Sequence, residues 1–150
     1  MNKLGEDFLV EKYKYVLSRK TQLNEVTFKL IALFQVVVFA LCFAFYNIYA
    51  TYKNGVLSKE LASLFCTSII ILHIAFSMLI VIMIIGGVFS WLKYRRDEND
   101  LIKKVFNEVR DKIAIISIFS WYETYAVLFI IALGIYFVSV YYLNYDILFM

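Results

Sequence analysis

Three long, mainly apolar runs alternate with polar, charged segments along the chain. They cover residues 30–52, 61–92 and 120–145. A helix of roughly 18 or more apolar residues is long enough to cross the hydrocarbon core of a bilayer. The pattern therefore predicts an all-α integral membrane protein with three transmembrane helices, one in each run.

The second run, residues 61–92, contains no Asp, Glu, Lys or Arg. As a helix it would extend about 48 Å, which exceeds the roughly 30 Å thickness of the hydrocarbon core. One end must project, or the helix must tilt or bend. Gly86 and Gly87 are the predicted hinge, because paired glycines give the backbone freedom.

The charged segments at residues 1–29 and 93–119 are predicted to form amphipathic helices. Apolar residues recur at helical spacing in both, at Leu9, Tyr13, Val16, Leu23 and Leu30, and at Leu101, Val105, Val109 and Ile113. Residues 97–100 are the most polar point and the expected break between the second span and the helix that follows. The first helix is either a stalk that contacts a partner or lies on anionic lipid headgroups.

The first two spans are connected by a short loop, residues 53–60. Asn54-Gly55 is a strong turn signal, and Ser58 suits a helix N-cap with Glu60 in the first turn. The loop length predicts an antiparallel hairpin. Ahead of the third span, Ser120 and Glu123 match a capping box at a helix start.

The distribution of basic residues predicts the orientation. Residues 1–29 hold six Lys or Arg and residues 93–112 hold seven, whereas the 53–60 loop holds two and the 146–150 tail none. By the positive-inside rule the N-terminus is cytoplasmic, and the 53–60 loop and the C-terminal tail lie outside. The first 29 residues lack the features of a cleavable signal peptide.

Composition narrows the function classes. Hydrophobic residues make up 63% of the chain, there is no proline, and the net charge of +3 is too small to indicate nucleic-acid binding. Cys42 and Cys66 lie inside apolar runs without metal-ligand spacing, so free thiols are expected. Because no catalytic constellation, phosphate loop or acidic cluster is present, we expect no enzymatic activity, no metal and no cofactor.

The second span carries the most polar stripe within the apolar runs. Ser63, Thr67, His73 and Ser77 share an arc of about 120° on a helical wheel, and Gln35 adds a polar side chain on the first span. An ionisable residue in a membrane segment is a functional-site hypothesis by default. The stripe is therefore either a pore lining, with a pH-sensing role for His73, or a set of hydrogen bonds between helices.

The segment EKYKYVLSRKTQLNEVTFK leads directly into a transmembrane hairpin that is followed by a charged helix. This plan resembles the SLATT-type small membrane effectors of bacterial antiphage defence. The resemblance covers about the first two-thirds of the chain and rests on architecture. It implies a protein of the bacterial inner membrane that oligomerises and permeabilises the bilayer.

Two functional hypotheses follow. In the first, the chain is a non-enzymatic, homo-oligomeric pore or membrane-disrupting effector, because three helices are too few to enclose a water path. In the second, it is a membrane anchor or adaptor subunit of a larger complex. In either case residues 7–29 and 100–116 are the predicted surfaces for a cytoplasmic partner or signal. A phage holin fits less well, because a long basic N-terminal helix is not the usual arrangement of that class.

Overall fold

The structure, a computed structural model, describes residues 3–106, 118 and 121–149. Nearly all of these residues are helical. The helices are α1 (Lys3–Lys53), α2 (Lys59–Phe106), α3 (Tyr122–Leu143) and α4 (Tyr145–Phe149). The described residues contain no strand, which confirms the all-α prediction. Helices α1, α2 and α3 are each long and apolar enough to cross a membrane, as the three apolar runs predicted.

Helix α1 joins the predicted amphipathic segment and the first apolar run without interruption. From residue 6 to its last residue, Lys53, it contains neither Gly nor Pro, so nothing in the backbone interrupts the hydrogen-bond ladder. It ends in a Schellman motif, in which Val56 N donates to Thr51 O (3.2 Å) and Gly55 N donates to Tyr52 O (2.9 Å). Gly55 takes a φ of +73°, the left-handed conformation this motif requires.

Helix α2 begins as predicted. The Ser58 hydroxyl accepts a hydrogen bond from Leu61 N (3.4 Å), and Glu60 lies in the first turn. A hydrogen bond from the Glu60 backbone amide, followed by one from the Ser58 hydroxyl, lowers the pKa of the Glu60 carboxyl. These hydrogen bonds favour the charged form of the Glu60 carboxyl, which lies at a helix start, where unpaired backbone amides stabilise negative charge.

The predicted helix break at residues 97–100 is wrong, because α2 continues through this segment to Phe106. Within this segment the Glu98 carboxylate forms ion pairs with two cations. One of them, Arg95, is three residues earlier on the same helix. Gly86 and Gly87 also lie within the uninterrupted α2, and their role as a hinge stays a prediction.

Helix α3 begins in the segment where a capping box was predicted. Ser120 lies outside the described residues. So do residues 107–117 of the predicted basic helix, which include most of the predicted 100–116 partner surface. Glu123 lies in the first turn of α3. Thr124 Oγ1 donates to Ile118 O (2.7 Å), and Trp121 N donates to the same carbonyl (3.1 Å).

The chain divides into two compact units, and α1, α2 and α3 each contribute to both. Unit 1 comprises Met1–Lys29 and Met83–Tyr125, and unit 2 comprises Leu30–Ile82 and Ala126–Met150. In unit 1 the buried residues include Val16, Thr27, Glu98, Leu101 and Ile102. In unit 2 the core is formed by Ala62, Cys66, Ile70, Tyr141 and Phe149.

Burial differs between the three long helices. In the most apolar stretch of α2, 28% of the residues are buried inside the chain, compared with 6% in α1 and 11% in α3. The apolar stretch of α2 is therefore the most buried of the three. Large apolar side chains are exposed on all three helices, including Phe39 on α1, Phe89 on α2 and Leu143 on α3, which is compatible with membrane-spanning helices.

Candidate functional site

Four of the five predicted polar residues lie on one face of α2 in unit 2, and two of them pair with tyrosines. The Ser63 and Tyr145 hydroxyls share a hydrogen bond of 2.7 Å, and the Thr67 and Tyr141 hydroxyls share another of 2.7 Å. We call these two bonds the hydroxyl ladder. It gives Ser63 and Thr67 partners within the chain.

The spacing of these residues explains why the ladder forms. Ser63 and Thr67 are four residues apart on α2, so they lie one turn apart on the same face. Tyr141 and Tyr145 have the same separation at the end of α3 and the start of α4. Because the two segments run antiparallel, the earlier residue of one pair meets the later residue of the other.

His73 occupies an aromatic pocket two turns further along α2. Its side chain is 3% exposed. Its ring centroid is 5.0 Å from that of Phe137 and 6.2 Å from that of Phe34. Within the described residues, His73 Nε2 and the buried Ser77 Oγ have no hydrogen-bond partner. An unsatisfied buried polar atom typically costs about 1–3 kcal/mol, so two of them on one stripe require an explanation.

Two cavities in unit 2 adjoin these unsatisfied groups. His73 helps to line one of about 350 Å³, where the other polar lining residues are Cys42, Tyr141 and Asn144. Ser77 helps to line another of about 450 Å³, together with Gly134 and Ser139. The polar groups that line these cavities can donate and accept hydrogen bonds. The described residues contain no group of three His, Cys, Asp or Glu that could hold a metal ion.

The remaining predicted residues lie apart from the stripe. Gln35 is exposed on α1 and is not one of the four residues that form the hydroxyl ladder. Around Gly86 a Cβ atom would meet nothing within 4 Å, whereas at Gly87 it would lie 3.9 Å from Thr27 Oγ1. Gly87 is therefore the glycine that faces α1 within unit 1.

Unit 1 contains a charged cluster that the sequence patterns did not predict. The Glu98 carboxylate is 2.8 Å from Lys20 Nζ and 2.9 Å from Arg95 Nη1, and its side chain is 3% exposed. The Lys20 ammonium also lies 4.8 Å from the centroid of the Trp91 ring. We call Lys20, Glu98 and Arg95 the ion cluster.

Electrostatics of the ion cluster favour the charged carboxylate. Burial alone would raise the pKa of the Glu98 carboxyl. The hydrogen bonds and positive charges of Lys20 and Arg95 together outweigh burial, so the net pKa lies below its ordinary value. The Glu98 carboxylate therefore stays ionised at neutral pH, and its contact with Lys20 connects α1 to α2 within unit 1.

Some signal for both unpredicted features was present in the sequence. Lys20 interrupts the apolar stripe of residues 9–30, and a cation at an otherwise apolar position favours a buried partner. Tyr141 and Tyr145 lie at the end of the third apolar run, a position where aromatic residues are typical of a membrane interface. Their separation of four residues matches that of Ser63 and Thr67.

In comparisons with known proteins, no family model, no curated protein and no solved structure matches this chain.

Proposed function

We propose that the protein is a non-enzymatic membrane protein that assembles from several copies into a pore, with the stripe on α2 as the lining of its open state. The observation that supports this most is a pair of buried atoms, His73 Nε2 and Ser77 Oγ, that have no hydrogen-bond partner among the described residues. Water in an open pore would satisfy both groups. We assign the described conformation to the closed state, in which both groups are unpaired within the described residues and lie beside cavities.

The proposal places α1, α2 and α3 across the inner membrane of a bacterium, with the N-terminus in the cytoplasm and the C-terminus outside. The excess of Lys and Arg in residues 1–29 and 93–112 supports this orientation. An aromatic cluster in unit 1 fits the cytoplasmic interface. There the rings of Trp91 and Trp121 are 4.7 Å apart, and those of Phe28 and Tyr122 are 4.9 Å apart.

Opening requires release of the hydroxyl ladder. In the described conformation Ser63 and Thr67 use their hydroxyls within the chain, so they are not free to line a water path. Movement of the two tyrosines away from α2 would free both hydroxyls, and movement of Phe137, one turn before Tyr141 on α3, would uncover His73. Ion passage would disrupt the membrane potential, the effect expected of a membrane effector of the SLATT type.

Ion flux through liposomes tests the proposal, with the oligomeric state measured by native mass spectrometry on the same preparation. We expect leak from a defined oligomer, and we expect His73→Leu combined with Ser77→Ala to reduce it to the level of empty liposomes. The matched control is Ser68→Ala, because Ser68 is exposed on α2 and its hydroxyl donates to Leu64 O. Unchanged leak in the double variant would show that the stripe only packs helices.

A second candidate function, a membrane anchor or adaptor, is favoured by the ion cluster. Charged contacts at Glu98 fix α1 against α2 in unit 1, which is what a docking platform for a cytoplasmic partner requires. A monomer in mild detergent that co-purifies with one defined protein and causes no leak would support this function over the pore.

A further inference from the structure

A surface groove in unit 1 combines positive charge with an apolar wall. Its volume is about 330 Å³, and it lies between α1 and α2. Its polar lining residues are Arg19, Gln22, Ser90, Lys93 and Tyr94, and its apolar lining residues are Leu23 and Val26. None of these residues is acidic, so the groove is complementary to an anion.

Arg19 is held in place by its neighbours, and in the part of the chain that the structure describes no carboxylate pairs with it. Its Nη1 donates to Gln22 Oε1 (3.0 Å), and its Nε donates to the Tyr15 hydroxyl (3.1 Å). The guanidinium also lies 5.1 Å from the centroid of the Tyr15 ring. These contacts orient the guanidinium without neutralising it, which reduces the entropy lost when an anion binds.

Lys93 supplies the second positive charge from α2. Among the described residues, ion pairs involve Lys20, Arg95 and Glu98, and neither Arg19 nor Lys93 takes part in one. Two cations that face one groove without a carboxylate repel each other. A bound phosphate relieves that repulsion, since guanidinium and ammonium groups both donate to phosphate oxygens.

The order of residues along both helices gives the groove a direction. On α1, Arg19 precedes Val26, which leads into the apolar run that begins at Leu30. On α2, Lys93 directly follows the apolar run, and Phe89, one turn earlier, is 66% exposed. Along each helix the cation therefore lies at one end of the groove and apolar side chains lie towards the other. This order matches a phospholipid, whose charged headgroup is followed by acyl chains.

We infer that this groove binds an anionic phospholipid of the inner leaflet, with the phosphate between Arg19 and Lys93 and an acyl chain along Val26 and Phe89. The inference rests on the membrane placement proposed above and is independent of pore formation. Free inorganic phosphate shares the headgroup chemistry. The apolar wall favours the lipid, because it gives acyl chains a surface that phosphate alone cannot use.

Native mass spectrometry of the delipidated full chain tests the inference, with phosphatidylglycerol and phosphatidylcholine added in equal amounts. We expect phosphatidylglycerol to be retained about tenfold more strongly by the wild-type chain, since two cations act on one headgroup. Arg19→Gln combined with Lys93→Gln should abolish this preference. The matched control, Lys14→Gln with Lys103→Gln, removes two exposed charges from the same helices outside the groove and should retain it.

Three outcomes would overturn the inference. One is an unchanged lipid preference in the groove variant whose helical content by circular dichroism matches the wild type. Another is equal loss of preference in the control variant, which would show that net charge alone attracts the lipid. The third is displacement of the lipid by millimolar phosphate or by an acidic peptide, which would indicate a site for those ligands. Because the readout is bound lipid and not ion flux, failure of the pore proposal would leave this result unaffected.

Discussion

Helix α2 uses different chemistry to hold its neighbours in the two units. In unit 2 it pairs neutral hydroxyls, as in the bond between Thr67 and Tyr141. In unit 1 it uses full charges, with the Glu98 carboxylate between Lys20 and Arg95. Both sets of contacts are buried at least in part. They differ in whether charge is present at all.

This difference follows from the cost of charge in apolar surroundings. Residues 61–92 contain no Asp, Glu, Lys or Arg, and an ionised side chain there would carry a large desolvation penalty. Hydroxyl pairs provide direction without charge and are worth about 0.6–1.7 kcal/mol each between membrane helices. The ion cluster lies beyond the apolar run, where water reduces the penalty. The change in contact chemistry along α2 therefore coincides with the predicted membrane boundary.

The largest effect is expected from removing the central charge of the ion cluster. Glu98→Gln removes the one counter-ion that Lys20 and Arg95 share among the described residues, and their side chains are only 15% and 25% exposed. Allowing for this exposure, we expect a loss of about 2 kcal/mol in the free energy of unfolding. Unfolding by denaturing detergent, followed by circular dichroism, measures it.

The control for this variant is Glu25→Gln, which removes one exposed carboxylate from α1. It should change the free energy of unfolding by less than about 0.5 kcal/mol. Equal losses in the two variants would contradict a specific role for the ion cluster.

Acid should weaken unit 1 through the same carboxylate. The pKa of Glu98 is lower in the folded chain than its ordinary value of 4.5. Its contribution to stability is therefore complete above pH 4.5 and is lost as the pH falls from 4.5 through the folded pKa. Unfolding measured from pH 7 down to pH 3 should show a decline that Glu98→Gln reduces. A wild-type profile identical to that of the variant would contradict this prediction.

Removing one bond of the hydroxyl ladder tests how much the uncharged contacts of unit 2 contribute to stability. Tyr141→Phe keeps the ring in the core of unit 2 and deletes the partner of Thr67. We expect a loss of about 1 kcal/mol in stability. If the ladder holds the pore closed, leak from liposomes should rise. The neighbouring exposed residue provides the control, Tyr142→Phe, which should change neither quantity. A fall in leak with Tyr141→Phe would contradict the gating proposal.

His73→Leu separates stability from function within unit 2. The change removes the unsatisfied Nε2 and the edge-to-face contact with Phe137, and these two effects oppose each other. The free energy of unfolding should therefore change by less than about 1 kcal/mol. Leak, in contrast, should fall sharply. A large loss of stability would show that His73 serves mainly to join helices.

The helices could be predicted from sequence because their signals are local. Apolar runs define α1, α2 and α3, and Gly55 and Ser58 mark the turn between the first two through backbone conformation and capping. The prediction of a break at residues 97–100 was wrong. It rested on local polarity, whereas Glu98 is paired with a residue that is distant in sequence. Lys20 is 78 residues from Glu98, and no spacing rule connects them.

For the candidate site, the residues of the stripe could be predicted from sequence, but their partners could not. The shared face of Ser63, Thr67, His73 and Ser77 follows from helical periodicity, and the structure places all four in unit 2. Their partners do not follow from it, because Tyr141 is 74 residues from Thr67 and the pairing depends on how α3 packs. Burial of His73 without a partner for Nε2 is likewise a property of the packed helices.

The smallest effect is expected at the predicted hinge. Gly86→Ala places a Cβ in open space, and Gly87→Ala brings one to 3.9 Å from Thr27 Oγ1, an ordinary van der Waals contact. Because glycine is a weak helix former, each change should stabilise α2 by about 0.5–1 kcal/mol or leave it unchanged. If α2 must bend here for the pore to open, the double variant should be more stable and leak less. Unchanged leak at higher stability would contradict the hinge and leave release of the hydroxyl ladder as the opening step.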